Sequence, residues 1–142
     1  MKKHLTIIPI LLITLIYSST SYAEWTKVGR IAQGEHYVDF DRIRKHDGYV
    51  YFWELQDLLK PTPTEYGSFS RKLYLQGDCK LFRFKNLSYS FHKEPMGEGT
   101  GLLHNPDEEW KYPPPESIEN VIGTEACDPP VAFLAVTVKS VS

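Results

Sequence analysis

Cysteine is scarce in this sequence: only Cys79 and Cys127 occur among its 142 residues. No Cys-x-x-Cys pair is present, so nothing indicates a redox motif that would lower a thiol pKa. The histidines that follow residue 23 show no H-x-x-x-H or comparable spacing. They are His36, His46, His92 and His104. We therefore predict single surface histidines and no metal site.

Catalytic and cofactor motifs are also missing. The serines at 68, 70, 88 and 90 follow a strand pattern without a nucleophile elbow, and no glycine-rich segment has phosphate-loop spacing. The acidic run at 107–109 lacks the alternating ligands and central glycine of a calcium loop. Residues 96–101 are glycine-rich and predict a mobile turn. We expect a protein that is not an enzyme and holds no cofactor.

The sequence has no apolar run long enough to span a bilayer, which takes about 20 residues. The aliphatic stretch at 5–16 is shorter and is broken by Pro9. Lys2 and Lys3 precede it and Ser21-Tyr22-Ala23 follows it, the order of a cleavable signal peptide over residues 1–23. An uncleaved anchor is the alternative. Glu24 stands where a lipoprotein would have cysteine, so we expect an exported protein with no membrane span after cleavage.

The chain has no excess of basic charge: its net charge is −2, and it falls to −4 when Lys2 and Lys3 leave. This excludes the electrostatic footprint of a nucleic-acid-binding protein. The charge is nevertheless uneven, with a net +5 over residues 68–93 and −8 over residues 94–128. The basic segment predicts a face for an acidic partner, and ordinary solvated strands are the alternative. The candidate binding residues are Arg71, Lys72, Lys80, Arg83, Lys85 and Lys93.

Two cysteines in an exported chain predict a disulfide between Cys79 and Cys127. Closing a loop of this length is worth ~4 kcal/mol in the chain-entropy account. Two buried thiols are the alternative.

Short alternating stretches separated by turn signals predict a β-rich first part. The stretches are residues 25–32, 35–40, 49–59, 68–76 and 80–91. Asp47-Gly48 is a hairpin signal because both residues tolerate positive φ, and residues 41–45 are expected to be a bridging turn. In the last stretch Phe82 and Phe84 share one phase, whereas Leu87 and the aromatic residues after it take the other. We therefore predict a bulge near Lys85-Asn86.

Three prolines at 113–115 introduce a predicted helix over 116–126, with Ile118, Val121 and Ile122 at helical spacing. The fold class is therefore α+β: an antiparallel sheet of five to six strands with a C-terminal helix packed on it and disulfide-linked. We place the domain at residues 24–128. The apolar tail at 129–142 is either an extra strand or a segment that another chain completes.

These landmarks, in this order, resemble the surface-adhesin protein E family of Gram-negative bacteria. The matching pieces are Trp25, Tyr37-Val38-Asp39, Ile43-Arg44, Trp53, Asp78-Cys79, Met96-Gly97-Glu98-Gly99, Trp110 and the proline-led helix that ends at Cys127. The resemblance implies an antiparallel sheet with a disulfide-linked helix, a periplasmic or outer-surface location and a homodimer as one state. It also implies partners such as host extracellular-matrix proteins, among them vitronectin and laminin, or another envelope protein.

The leading hypothesis is therefore a protein-binding envelope protein that uses the basic hairpin. The alternative is a periplasmic small-ligand or inhibitor module in which Tyr49, Tyr51 and Trp53 line a concave sheet face. Rings packed under the helix would count against that alternative.

Overall fold

The computed structural model of the protein describes residues 23–64 and 66–131. The predicted signal peptide, apart from Ala23, and tail residues 132–142 lie outside the described residues. The domain bounds predicted from sequence stay a prediction.

Within the described residues, seven strands form one antiparallel sheet. They are β1 (Thr26–Ile31), β2 (Gly34–Val38), β3 (Arg44–His46), β4 (Tyr49–Leu58), β5 (Ser70–Asp78), β6 (Arg83–His92) and β7 (Gly101–His104). The order across the sheet is β1-β2-β4-β5-β6-β7, and β3 pairs with the first residues of β4. The predicted antiparallel sheet is confirmed.

Local sequence signals account for most of this sheet. Asp47 and Gly48 both have positive φ and join β3 to β4, as predicted. In the β5–β6 ladder Tyr74 pairs with Ser88 whereas Leu75 pairs with Asn86, which leaves one extra residue on β6. This is the predicted bulge, and it lets aromatic residues before and after it face the same side of the sheet.

Two strands, β3 and β7, were not predicted from the sequence. Residues 41–45 are not a simple bridging turn, because a 3₁₀ turn at Phe40–Arg42 is followed by β3. Strand β7 (Gly101–His104) forms directly after the glycine-rich segment and pairs with β6. Both elements have four residues or fewer, so neither contains enough alternation to predict a strand from sequence.

One helix, α1 (Ile118–Cys127), packs on one face of the sheet, and we call this the helix side. The Ser117 side chain accepts a hydrogen bond from the Asn120 N–H at 3.1 Å and caps its first turn. The helix was predicted, but its buried face differs from the expected one. Val121 is exposed, and Ile122, Gly123 and Ala126 are buried instead.

The core lies between α1 and the helix side of the sheet. Its buried members are Val38, Phe40, Val50, Phe52, Leu73, Leu75, Phe84, Ile122 and Ala126. The predicted disulfide joins the turn after β5 to the end of α1, with a Cα–Cα distance of 5.8 Å between Cys79 and Cys127. In the described part of the chain, no helix is long and apolar enough to cross a membrane.

Candidate functional site

Three aromatic rings lie side by side on the sheet face opposite α1. Trp53 pairs with Tyr74 across β4 and β5, and the two rings stack with centroids 4.7 Å apart. Tyr51 lies two residues before Trp53, and its ring centroid is 6.3 Å from that of Tyr74. All three residues are partly exposed. Because α1 covers the other face, these rings present apolar area to solvent.

A second aromatic cluster continues this face toward the disulfide. Trp110 stacks on Tyr49, with ring centroids 5.8 Å apart. The guanidinium carbon of Arg83 lies 4.7 Å from the centroid of the Trp110 ring, and the Lys85 Nζ lies 5.2 Å from it. Both distances are within the range of cation–π attraction. We call the combined set the aromatic–basic surface; its members are Tyr49, Tyr51, Trp53, Tyr74, Arg83, Lys85 and Trp110.

Acidic side chains fix the two cations of this surface. Arg83 Nε donates to Asp78 Oδ2 at 3.2 Å, and Lys85 Nζ donates to Glu108 Oε2 at 2.9 Å. The hydrogen bond from the Leu81 N–H, together with Arg83, holds the pKa of the Asp78 carboxyl below its ordinary value despite burial. Asp78 therefore stays ionised near neutral pH, and Arg83 is held over the Trp110 ring.

The other end of the same face is covered by the turn Pro95–Gly97. Leu55 is fully buried beneath it, and Gly97, which has a positive φ, packs against the Lys72 and Leu55 side chains. The Met96 N–H donates to Asp57 Oδ1 at 2.6 Å, and the Gly97 N–H donates to the Ser70 hydroxyl at 2.8 Å. The glycine-rich segment is thus docked on the sheet through its first residues, rather than being only a mobile turn.

The six basic residues predicted from sequence do not form one patch. Arg83 and Lys85 come together at Trp110, whereas Arg71 lies on the helix side, where it pairs with Phe91 in the β5–β6 ladder. Lys72 lies under the Pro95–Gly97 turn, and Lys80 is exposed in the turn after β5. The Lys93 Nζ lies 4.3 Å from the centroid of the Tyr66 ring, away from the others.

Two histidines differ from the surface positions that the sequence predicted. His36 and His92 are buried, with 6% and 8% of their surface exposed. His36 Nδ1 lies 2.8 Å from Glu54 Oε1, and His92 Nε2 lies 2.9 Å from the Ser90 hydroxyl. Each ring has a polar partner, which is what allows burial.

The sequence indicated that Tyr51 and Trp53 share a face, but it did not place Trp110 or Tyr74 beside them. Trp110 lies in an irregular segment that is joined to the sheet by a bridge between Lys111 and Phe84. No local pattern predicts that contact. The rings of Tyr51 and Trp53 lie on the face opposite α1. Rings packed under the helix would have counted against a ligand-binding module, and these two rings are not packed there.

Comparison with known proteins gives a family match over nearly all of the described chain. The sequence model of the family described as "Surface-adhesin protein E" matches residues 25–128. No curated protein sequence matches the chain.

Solved structures of protein E from Haemophilus influenzae share this fold. A second crystal form matches with a TM-score of 0.58 and 16% identity, over 75% of this chain and 88% of that one. Another structure of the same protein matches with a TM-score of 0.54 and 15% identity, over 75% and 85%. Protein E from the non-typeable bacterium matches with a TM-score of 0.51 and 17% identity, over 80% and 83%.

Proposed function

Because the chain belongs to the surface-adhesin protein E family, we propose that it is an exported, non-enzymatic envelope protein that binds other proteins through its aromatic–basic surface. The observation that carries this proposal is the open stack of Trp53, Tyr74 and Tyr51 on the sheet face that also holds the Trp110–Tyr49 pair. Tryptophan, tyrosine and arginine are the residues most enriched at the energetic centres of protein interfaces. Host extracellular-matrix proteins such as vitronectin and laminin are the partners we propose.

The two cations add specificity to this apolar surface. Arg83 and Lys85 are already paired with Asp78 and Glu108, so an acidic segment of a partner has to compete with those carboxylates. The Lys85–Glu108 pair is partly exposed, and such pairs contribute about 0–1 kcal/mol, so the exchange costs little at Lys85. Arg83 keeps the buried Asp78 as its partner. We therefore expect the rings to supply most of the affinity, and the cations to set the association rate and its salt dependence.

Surface plasmon resonance on immobilised vitronectin and laminin tests the proposal. We expect the double variant W53A/Y74A to weaken binding about tenfold or more, as loss of an interface centre does. The double variant R83Q/K85Q should slow association and flatten its dependence on salt. The matched control R30Q/K45Q removes two exposed charges outside the surface and should leave affinity within about twofold.

An equal loss of binding affinity in the control and in the two test variants would contradict the proposed interface. Circular dichroism of each variant checks that the sheet is retained. If the unaltered chain binds neither protein, the proposed partners are wrong.

We further propose that the protein reaches the periplasm or the outer cell surface. Fractionation of expressing cells, with protease treatment of intact cells, separates the two locations. A cytosolic location would contradict export, and a protein protected from protease in intact cells would contradict adhesion at the outer surface.

A further inference from the structure

A small pocket of about 150 Å³ lies on the helix side of the sheet, across the middle of β4, β5 and β6. A volume of about 150 Å³ is enough for one benzene-sized molecule. Within the described part of the chain, the lining residues belong neither to α1 nor to the aromatic–basic surface. They are Gln56, Arg71, Leu73, Tyr89 and Phe91.

Arg71 is the charged residue of this pocket. Its Nε is buried without a hydrogen-bond partner, whereas Nη1 and Nη2 are not fully enclosed. Among the described residues, no carboxylate lies within ion-pair distance of this guanidinium. Enclosing an unpaired cation costs free energy, and a carboxylate that binds the guanidinium through charge-assisted hydrogen bonds offsets this cost.

Tyr89 supplies a second donor to the pocket. Asn86 Nδ2 donates to the Tyr89 hydroxyl oxygen at 2.7 Å, and the Tyr89 ring stacks on His104 with centroids 6.0 Å apart. These contacts hold the ring in place. Because the oxygen already accepts one bond, the hydroxyl hydrogen can donate, and no described residue accepts from it. Arg71 and Tyr89 therefore both offer donors to the same small space.

The neighbouring charges leave Arg71 unpaired. Glu54 lies on the same face, opposite Leu73, but its Oε1 accepts from Gln56 Nε2 and lies 2.8 Å from His36 Nδ1. Gln56 and Leu73 also line a larger cavity of about 380 Å³ beneath α1. That cavity has two charged residues of each sign, so it favours neither. They are Glu54, Lys85, Lys111 and Glu119.

We propose that the Arg71 pocket binds a small monocarboxylate whose charged group is carried on one compact apolar ring. The carboxylate accepts from the Arg71 guanidinium and from the Tyr89 hydroxyl, and the ring packs on Leu73 and Phe91. The lining residues are separate from the aromatic–basic surface, so this site can fail while the proposed protein interface stands, and the reverse.

NMR titration with three probes of similar shape tests this inference. Benzoate, benzamide and benzylamine are anionic, neutral and cationic near neutral pH. We expect benzoate to bind about tenfold more tightly than benzamide, because its hydrogen bonds to Arg71 join two charged groups. Amide shifts should concentrate at Arg71, Tyr89 and Phe91, which line the pocket. Equal or tighter binding of benzamide or benzylamine, no binding of benzoate, or shifts concentrated at Arg83 and Lys85 instead, overturns the proposal.

Two variants assign the preference to this pocket. R71M keeps a long side chain without charge and should remove the advantage of benzoate over benzamide. Y89F keeps the ring without the donor and should weaken benzoate binding about threefold or more. The matched control K80Q removes an exposed positive charge from the turn after β5 and should leave benzoate affinity within about twofold.

If R71M does not fold, R71K supplies the test. Lysine keeps the charge but lacks the planar fork that matches a carboxylate, so benzoate should bind about threefold or more weakly. A benzoate preference that survives R71M, or benzoate binding that is unchanged in both R71K and Y89F, contradicts the site.

Discussion

At the scale of single residues, Asp78 links the β5–β6 turn to Arg83 and, through Arg83, to Trp110. Its carboxylate accepts hydrogen bonds from the Leu81 N–H at 3.1 Å and from Arg83 Nε at 3.2 Å. It thereby closes the β5–β6 turn next to Cys79 and positions Arg83 against Trp110. The stretches predicted from sequence end at residue 76 and resume at residue 80, and the partners of Asp78 become evident only when this connection is folded.

The lowered pKa of Asp78 gives a prediction about pH. A carboxyl whose pKa is lower in the folded state contributes stability above its unfolded pKa of about 4, and this contribution is lost as the pH falls through the folded value. D78N should therefore lower the free energy of unfolding at about pH 7, and the difference from the unaltered chain should shrink toward about pH 2. Urea unfolding at the two pH values measures it. The exposed D107N serves as control, and a D78N deficit that does not change with pH would show that the charge is unimportant.

At the scale of elements, the approach of α1 to β6 depends on a missing side chain. A Cβ at Gly123 would lie 2.5 Å from Phe84 Cζ and 2.6 Å from its Cε2. Alanine is a better helix former than glycine, so helix propensity alone favours alanine over glycine within a helix. The close contact explains why the buried stripe of α1 includes Gly123 and Ala126, and why Val121 is left exposed.

We predict that G123A destabilises the protein although it favours the isolated helix. The gain in helix propensity is about 1 kcal/mol, whereas overpacking a core costs about 1–3 kcal/mol, so the free energy of unfolding should fall by up to about 2 kcal/mol. T124A alters the neighbouring exposed position on the same helix and should change stability by about 0.5 kcal/mol or less. Urea unfolding compares the two. A G123A variant at least as stable as the original would refute the close packing of α1 on Phe84.

At the scale of the whole molecule, the disulfide connects α1 to the sheet. Cys79 and Cys127 are 48 residues apart, and their bond holds the C-terminal end of α1 against the β5–β6 turn. Constraining a loop of this length is worth ~4 kcal/mol. A short helix such as α1 has little stability of its own, so it relies on this bond and on its packing against the sheet.

Replacing both cysteines should therefore weaken the whole fold. We expect C79A/C127A to lose about 2–5 kcal/mol in the free energy of unfolding, and the amides of α1 to lose protection from hydrogen exchange before those of β4 and β5. Guanidinium unfolding and exchange NMR measure the two effects. An unchanged unfolding midpoint would mean that packing alone holds α1 in place.

The sequence by itself determined the features that depend on neighbouring residues. Alternation predicted the long strands, Asp47-Gly48 predicted a hairpin, and the phase change after Phe84 predicted the bulge in β6. The proline-led apolar spacing predicted α1, and the two cysteines predicted the covalent link. These signals lie in short stretches of sequence or in the number of cysteines, so they can be recognised without the folded structure.

Only the tertiary structure decided which surfaces are covered and which groups meet. Glu54 carries a charged group, yet it is buried, and His36 of β2 and Gln56 lie beside it as hydrogen-bond partners. Trp110 joins Tyr49 because an irregular segment bridges to β6, and Gly123 is required because Phe84 fills the space where its side chain would lie. Such contacts join residues far apart in the chain, and their energies depend on packing and desolvation that no short sequence window contains.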